Sequence, residues 1–179
     1  PPSPRFAAVV YDLDATVATR PLPSCAPEPQ AVRVLLETGA HPVVSPDGSD
    51  VWFDAPAEGG RQIHRLERAS GAVTCWTCGE PGNNVRPSVA APGLALVFDS
   101  DRAATWLRPD DTELFLASTA RPLPSRRITF RPGPDERARL GPGSRVLVWS
   151  RRDGGRYEVV AAALRAGRGG VLLGNVGVL

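Results

Sequence analysis

A chain of 179 residues, 42% hydrophobic and 22% charged, is long enough to bury a core without crosslinks, and this composition excludes a disordered tail or a collagen-like fibre. Its longest apolar runs, such as residues 159–164, fall far short of the ~20 residues of a membrane helix, and no basic-then-apolar signal segment opens it. The 21 basic residues, all arginine, face 19 acidic ones and are spread through every quarter of the sequence, so no nucleic-acid footprint stands out.

There is no Met and no Lys, while Pro and Gly number 19 and 18. The codon imprint is that of a GC-rich bacterial genome, and the missing Met is expected of a piece cut from a longer reading frame. A segment upstream could have held a secretion signal, so its absence here does not argue for the cytoplasm, and a periplasmic or otherwise extracytoplasmic location is expected. Three cysteines are too few for a disulfide scaffold, and the odd number leaves at least one outside any internal pair.

In chain order, residues 6–11, 15–19 and 31–36 read as short strands. A repeat then begins. Pro42-Val43-Val44-Ser45-Pro46-Asp47-Gly48-Ser49-Asp50-Val51-Trp52-Phe53-Asp54 aligns without a gap on Pro87-Ser88-Val89-Ala90-Ala91-Pro92-Gly93-Leu94-Ala95-Leu96-Val97-Phe98-Asp99. Pro, the second Val, Gly, Phe and Asp recur. A looser third copy runs from Leu140 to Ser150, with Trp149 in the place of the Phe.

Each copy continues through a polar loop, a strand, a turn and another strand. The strands are expected at residues 62–66 and 72–77, at 113–117 and 127–130, and at 157–162 and 171–173. Ser45-Pro46-Asp47-Gly48 is a turn by its chemistry, since Pro presets φ, Asp bonds nearby amides and Gly takes a conformation other residues resist. No 3.6-residue stripe supports a helix, and residues 31–36 and 159–166 read better as strands. Short strands at this spacing indicate an all-β fold, and a period of about 45–50 residues with four strands matches a propeller blade.

The run Ser-Pro-Asp-Gly, Val-Trp-Phe-Asp, Gly59-Gly60-Arg61-Gln62-Ile63-His64 and then Trp76-Thr77 resembles the TolB-like, WD-like β-propeller repeat, with Phe98-Asp99-Ser100-Asp101-Arg102 and the closing pair Ile128-Thr129 in the second copy. The resemblance implies a β-propeller fragment of consecutive four-stranded antiparallel blades: a degraded blade at about 1–39, then blades at about 40–84, 85–135 and 136–179. Such rings commonly have about six blades. Remaining blades or another chain are therefore expected to cover the open edges.

Cys75-Trp76-Thr77-Cys78 invites a metal or redox reading, with His64 and one of Cys25 or His41 as further ligands. It lacks the His of c-type haem attachment and a second Cys pair for a zinc ribbon. If the strand runs on through Cys78, the two cysteines point to opposite faces. No metal and no cofactor is expected; the leading reading is buried or half-buried structural thiols, with a local or redox disulfide as the alternative. No Gly-x-Ser-x-Gly elbow or acid-paired His assembles a hydrolase triad. Asp110-Asp111 and Asp12-x-Asp14 lack a calcium loop around them, and Gly167-x-Gly169-Gly170 reads as a hairpin turn. His64 is expected to point out of a blade face, while Trp52 and Trp149 are expected in inner strands, packing between blades.

Residues 102–112 form a longer loop in the second copy. Arg102, Trp106, Arg108, Asp110 and Asp111 place an aromatic anchor among charges of both signs, a composition of contact surfaces. They are the candidate ligand contacts. The expected function is a non-catalytic binding module for a protein, peptide or cell-envelope ligand. The alternative is the propeller of a larger prolyl-oligopeptidase-like serine hydrolase whose catalytic domain lies outside this chain.

Overall fold

The computed structural model describes residues 36–90, 95–122, 124–141, 143, 145–167 and 170–178. Among them the chain is all-β, with no α-helix, in three antiparallel four-stranded sheets that succeed one another in sequence. The first holds β1 (Ala40–Val44), β2 (Asp50–Ala57), β3 (Gly60–Glu67) and β4 (Val73–Cys75). The second holds β5 (Asn84–Val89), β6 (Leu96–Ser100), β7 (Glu113–Ala117) and β8 (Arg126–Arg127). The third holds β9 (Asp135–Leu140), β10 (Val146–Asp153), β11 (Arg156–Gly167) and β12 (Gly170–Val178). This is a propeller fragment of consecutive four-stranded blades. The strands expected at 6–11 and 15–19, and that at 31–36 apart from Leu36, lie outside the described residues.

Turn chemistry fixes the meander. In the first turn Gly48 (φ 73°) donates its N–H to Ser45 O at 2.8 Å, while Asp47 Oδ1 accepts Ser45 Oγ–H at 2.7 Å and Ser49 N–H at 3.1 Å. The chain reverses there because each turn residue supplies what the geometry lacks. The run at 159–166 lies within β11 and is strand, as its pattern predicts.

The sheets fan outward from their first strands, with β5 packed against β1 on one side and β9 on the other. Between the first two sheets lie Trp52, Ile63, Trp76, Leu96, Phe98 and Phe115. Between the second and third lie Val97, Leu114, Leu116, Leu147, Trp149 and Val160. The middle blade is thus covered on both faces, which is why β6 and β7 are buried at every position and show no polar alternation.

Phe53, Phe98 and Trp149 occupy equivalent places, each on the second strand of its sheet opposite His64, Phe115 and Val160, and are 4%, 0% and 2% exposed. Trp52 and Trp149 do pack between blades, but from second strands. The inner strand expected for them is one strand further in, because β1 and β9 precede the aromatic runs.

The closing dipeptide also has a mechanism. Thr77 Oγ1 accepts the Ile63 N–H at 2.9 Å and donates to Gln62 Oε1 at 2.7 Å, and Thr129 Oγ1 accepts the Leu114 N–H at 2.8 Å. A hydroxyl replaces the carbonyl that the short outer strand no longer offers.

Candidate functional site

Antiparallel alternation sends the connections at 58–59, 76–83, 101–112, 128–134 and 154–155 to one end of the blades. There Asp101 accepts Asn83 N–H and Asn83 Nδ2–H, both at 2.7 Å, and Asn83 Oδ1 accepts the Arg61 N–H at 3.0 Å. Two connections and the start of β3 are laced into one surface.

The β6–β7 connection is fastened at both ends. Arg102 lays its guanidinium 3.6 Å from the centre of the Phe115 ring, pairs with Glu80 and donates to Ser125 Oγ at 2.5 Å. Burial lowers the pKa of Arg102, against which the Glu80 charge and hydrogen bond act. At the other end Asp111, 7% exposed, accepts the Gly133 N–H at 3.0 Å, and Thr112 O accepts the Asp135 N–H at 2.7 Å. Gly133 has φ 97°, and an added Cβ would stand 2.4 Å from Arg152 O, so only glycine fits there.

Between these anchors Thr105 and Arg108 exchange backbone hydrogen bonds of 3.2 and 2.9 Å. Trp106 and Leu107 stand at the apex, 88% and 68% exposed. A groove of about 220 Å³ runs beside them, walled by Arg108, Asp110, Asp111, Gly133 and Arg152. The indole is thus held in water on a fastened turn.

The five residues singled out in the sequence therefore divide. Trp106, Arg108 and Asp110 are exposed at the apex and groove. Arg102 and Asp111 are engaged within the chain, Arg102 with Phe115, Glu80 and Ser125 and Asp111 with the Gly133 N–H, while Asp111 also walls the groove.

The inner strands carry basic residues, of which the sequence reading weighed His41 only as a metal ligand and passed over Arg86 and Arg137. His41, Arg86 and Arg137 sit at the same bulge of β1, β5 and β9 with φ of 49°, 54° and 59°. Asp54 Oδ1 accepts the Arg86 N–H at 3.0 Å and His41 Nδ1–H at 2.8 Å, while Arg61 Nε donates to Asp54 Oδ2 at 2.6 Å. Asp99 Oδ2 accepts the Arg137 N–H at 2.9 Å and an Arg86 guanidinium N–H at 3.1 Å. Burial pushes Asp99 up to about 6 despite these donors. Burial likewise raises Glu113 and Asp135, which face Arg127 and Arg151. The signal was a basic residue directly before the repeat's Pro42 and Pro87, one position outside the aligned window.

Cys75 and Cys78 form a disulfide. The leading reading of two structural thiols is corrected to the disulfide alternative, because β4 ends at Cys75 and a turn brings Cys78 back beside it. His64 is half-buried and stacked on Phe53 with ring centres 5.5 Å apart, on the face of the first sheet turned away from the second.

No family model matches the sequence, and no curated protein matches it. Solved structures do. TolB from Acinetobacter baumannii superposes with a TM-score of 0.56 at 21% identity, covering 75% of this chain and 31% of that one. A structure from Agrobacterium tumefaciens described as a TolB gives 0.62 at 19% identity, covering 82% and 51%. The fold is of the TolB-like propeller type, and the chain spans less than two thirds of either relative.

Proposed function

We propose that the chain is a non-catalytic binding module, part of a TolB-like propeller that recognises a protein, peptide or cell-envelope ligand with the loop end of its blades. The observation that carries this reading is Trp106, 88% exposed at the tip of a turn whose two roots are fastened. An exposed indole is costly in water and profitable in contact, and Trp is among the residues that dominate interface energies. Arg108 and Asp110 give the rim both signs of charge.

The disulfide of Cys75 and Cys78 supports an extracytoplasmic location, since such bonds persist in oxidising compartments. Val146, Tyr157 and Val159 are exposed on the face of the third sheet turned away from Trp149. Further blades or another chain would cover that face, as the third sheet covers the second.

A photo-crosslinking residue at position 106, exposed to a solubilised cell-envelope extract, tests the reading. Specific adducts are expected there and not from Ser70, in the turn between β3 and β4 at the opposite end of the blade. Equal labelling from both positions, or none from 106, would overturn it.

A further inference from the structure

The geometry points to a redox-gated metal site at His64, Cys75 and Cys78, taking a dication of the zinc class when the disulfide is open. His64 on β3 lies directly across from Cys75 on β4. The turn after β4 returns Cys78 to the same place, and one ring nitrogen and the two sulfurs all lie within 4.8 Å of one another. In a tetrahedral zinc site with Zn–S and Zn–N bonds of about 2.3 and 2.0 Å, such donors stand about 3.5–3.8 Å apart. Opening the disulfide and a small turn of the Cys78 side chain, which is exposed, brings the set to that spacing.

The histidine is prepared for the role. His64 Nδ1 lies 2.9 Å from Gln62 O, and a carbonyl can only accept, so Nδ1 carries the proton and Nε2 keeps its lone pair. Backbone carbonyls orient metal-binding histidines in this way. The ring is further held by stacking on Phe53, with planes 19° apart. Two thiolates and one imidazole are the donors that zinc-class ions prefer, and a fourth position stays open to solvent beside exposed Cys78.

The chemistry balances. A dithiol reductant gives two electrons and two protons to the Cys75–Cys78 bond, yielding two thiols, and leaves as its own disulfide. The incoming dication then displaces both thiol protons to solvent as the Sγ atoms bind. Oxidised, the sulfurs are bonded to each other and the set has no thiolate to offer.

Cobalt(II) is the probe, because thiolate coordination gives it a sulfur-to-metal charge-transfer band. In a Cys25→Ser background the reduced chain is expected to take up cobalt stoichiometrically with that band, zinc should displace it, and the oxidised chain should show none. His64→Ala should weaken binding by about tenfold or more. Cys78→Ser, in an exposed turn where it cannot disturb the core, should abolish the band, with the far-ultraviolet spectrum confirming the fold of each variant. Failure of the reduced chain to develop the band, or a cobalt affinity unchanged by His64→Ala in a folded variant, would overturn the site.

Discussion

Asp99 on the second strand of the middle blade accepts the backbone N–H of Arg137, on the first strand of the next, at 2.9 Å. Asp54 does the same for Arg86, at 3.0 Å, one blade earlier. The repeated Asp of Phe53-Asp54 and Phe98-Asp99 is thus a clamp between blades, satisfying an amide that the inner-strand bulge turns away from its own sheet.

Removing either clamp leaves a part-buried amide without its acceptor, together with the cations gathered around the carboxylate. Asp54→Ala and Asp99→Ala should each cost ~1–3 kcal/mol, read as a lowered urea midpoint. A loss below about 0.5 kcal/mol would place the Asp among ordinary surface substitutions and deny the clamp.

The pH dependence of the second clamp has a definite sign. Asp99 titrates at about 6 in the fold against an ordinary 3.8, so between those values the native chain holds a proton that the unfolded chain has released. Its contribution to stability is present below the lower value and disappears as pH rises through the upper one. Asn at 99 can still accept the Arg137 N–H without a charge. The stability of wild type relative to Asp99→Asn should therefore fall by about 2 kcal/mol between pH ~4 and pH ~7. Taking the difference cancels Glu113 and Asp135, and a flat difference would contradict the assignment.

Thr77→Val and Thr129→Val keep shape and lose the hydroxyl. Each leaves one β3 or β7 amide without its acceptor, at an expected cost of ~1–3 kcal/mol. Hydrogen exchange at Ile63 and Leu114 should quicken in the respective variants; unchanged exchange would show that water substitutes freely.

The blade pattern was legible because it is local. The turn at Ser45-Pro46-Asp47-Gly48, the aromatic at 53, 98 and 149, and the closing Thr77 and Thr129 each act within a few residues or across one strand pair. What failed depended on where strands stop. β4 ends at Cys75 and the chain turns before Cys78, so a reading that favoured two structural thiols missed their pairing, and no propensity marks that end. The internal bonds of Arg102 and Asp111 were hidden for a related reason: charge in a loop looks like surface until Phe115, Glu80 and Gly133 are brought beside it from elsewhere in the chain. The basic residues His41, Arg86 and Arg137 needed the bulge to be seen, since their meaning lies in φ rather than in composition.

Arg102→Met should separate fastening from contact. It removes the Glu80 pair and the cation over Phe115, an interaction set that is only partly exposed, and should lower the thermal midpoint by several degrees. Loss of binding in this variant would follow from loosening the loop, so limited proteolysis at residues 103–110 should quicken in step; proteolysis as slow as in wild type would contradict the fastening role.

The most direct test concerns Trp106 itself. With the partner identified by crosslinking at this position, Trp106→Ala should weaken its binding by ~1–3 kcal/mol and leave the thermal midpoint nearly unchanged, because the indole has little of its surface buried in the chain. A large fall in the midpoint with affinity intact would contradict the account, making Trp106 a structural residue and the loop a spacer.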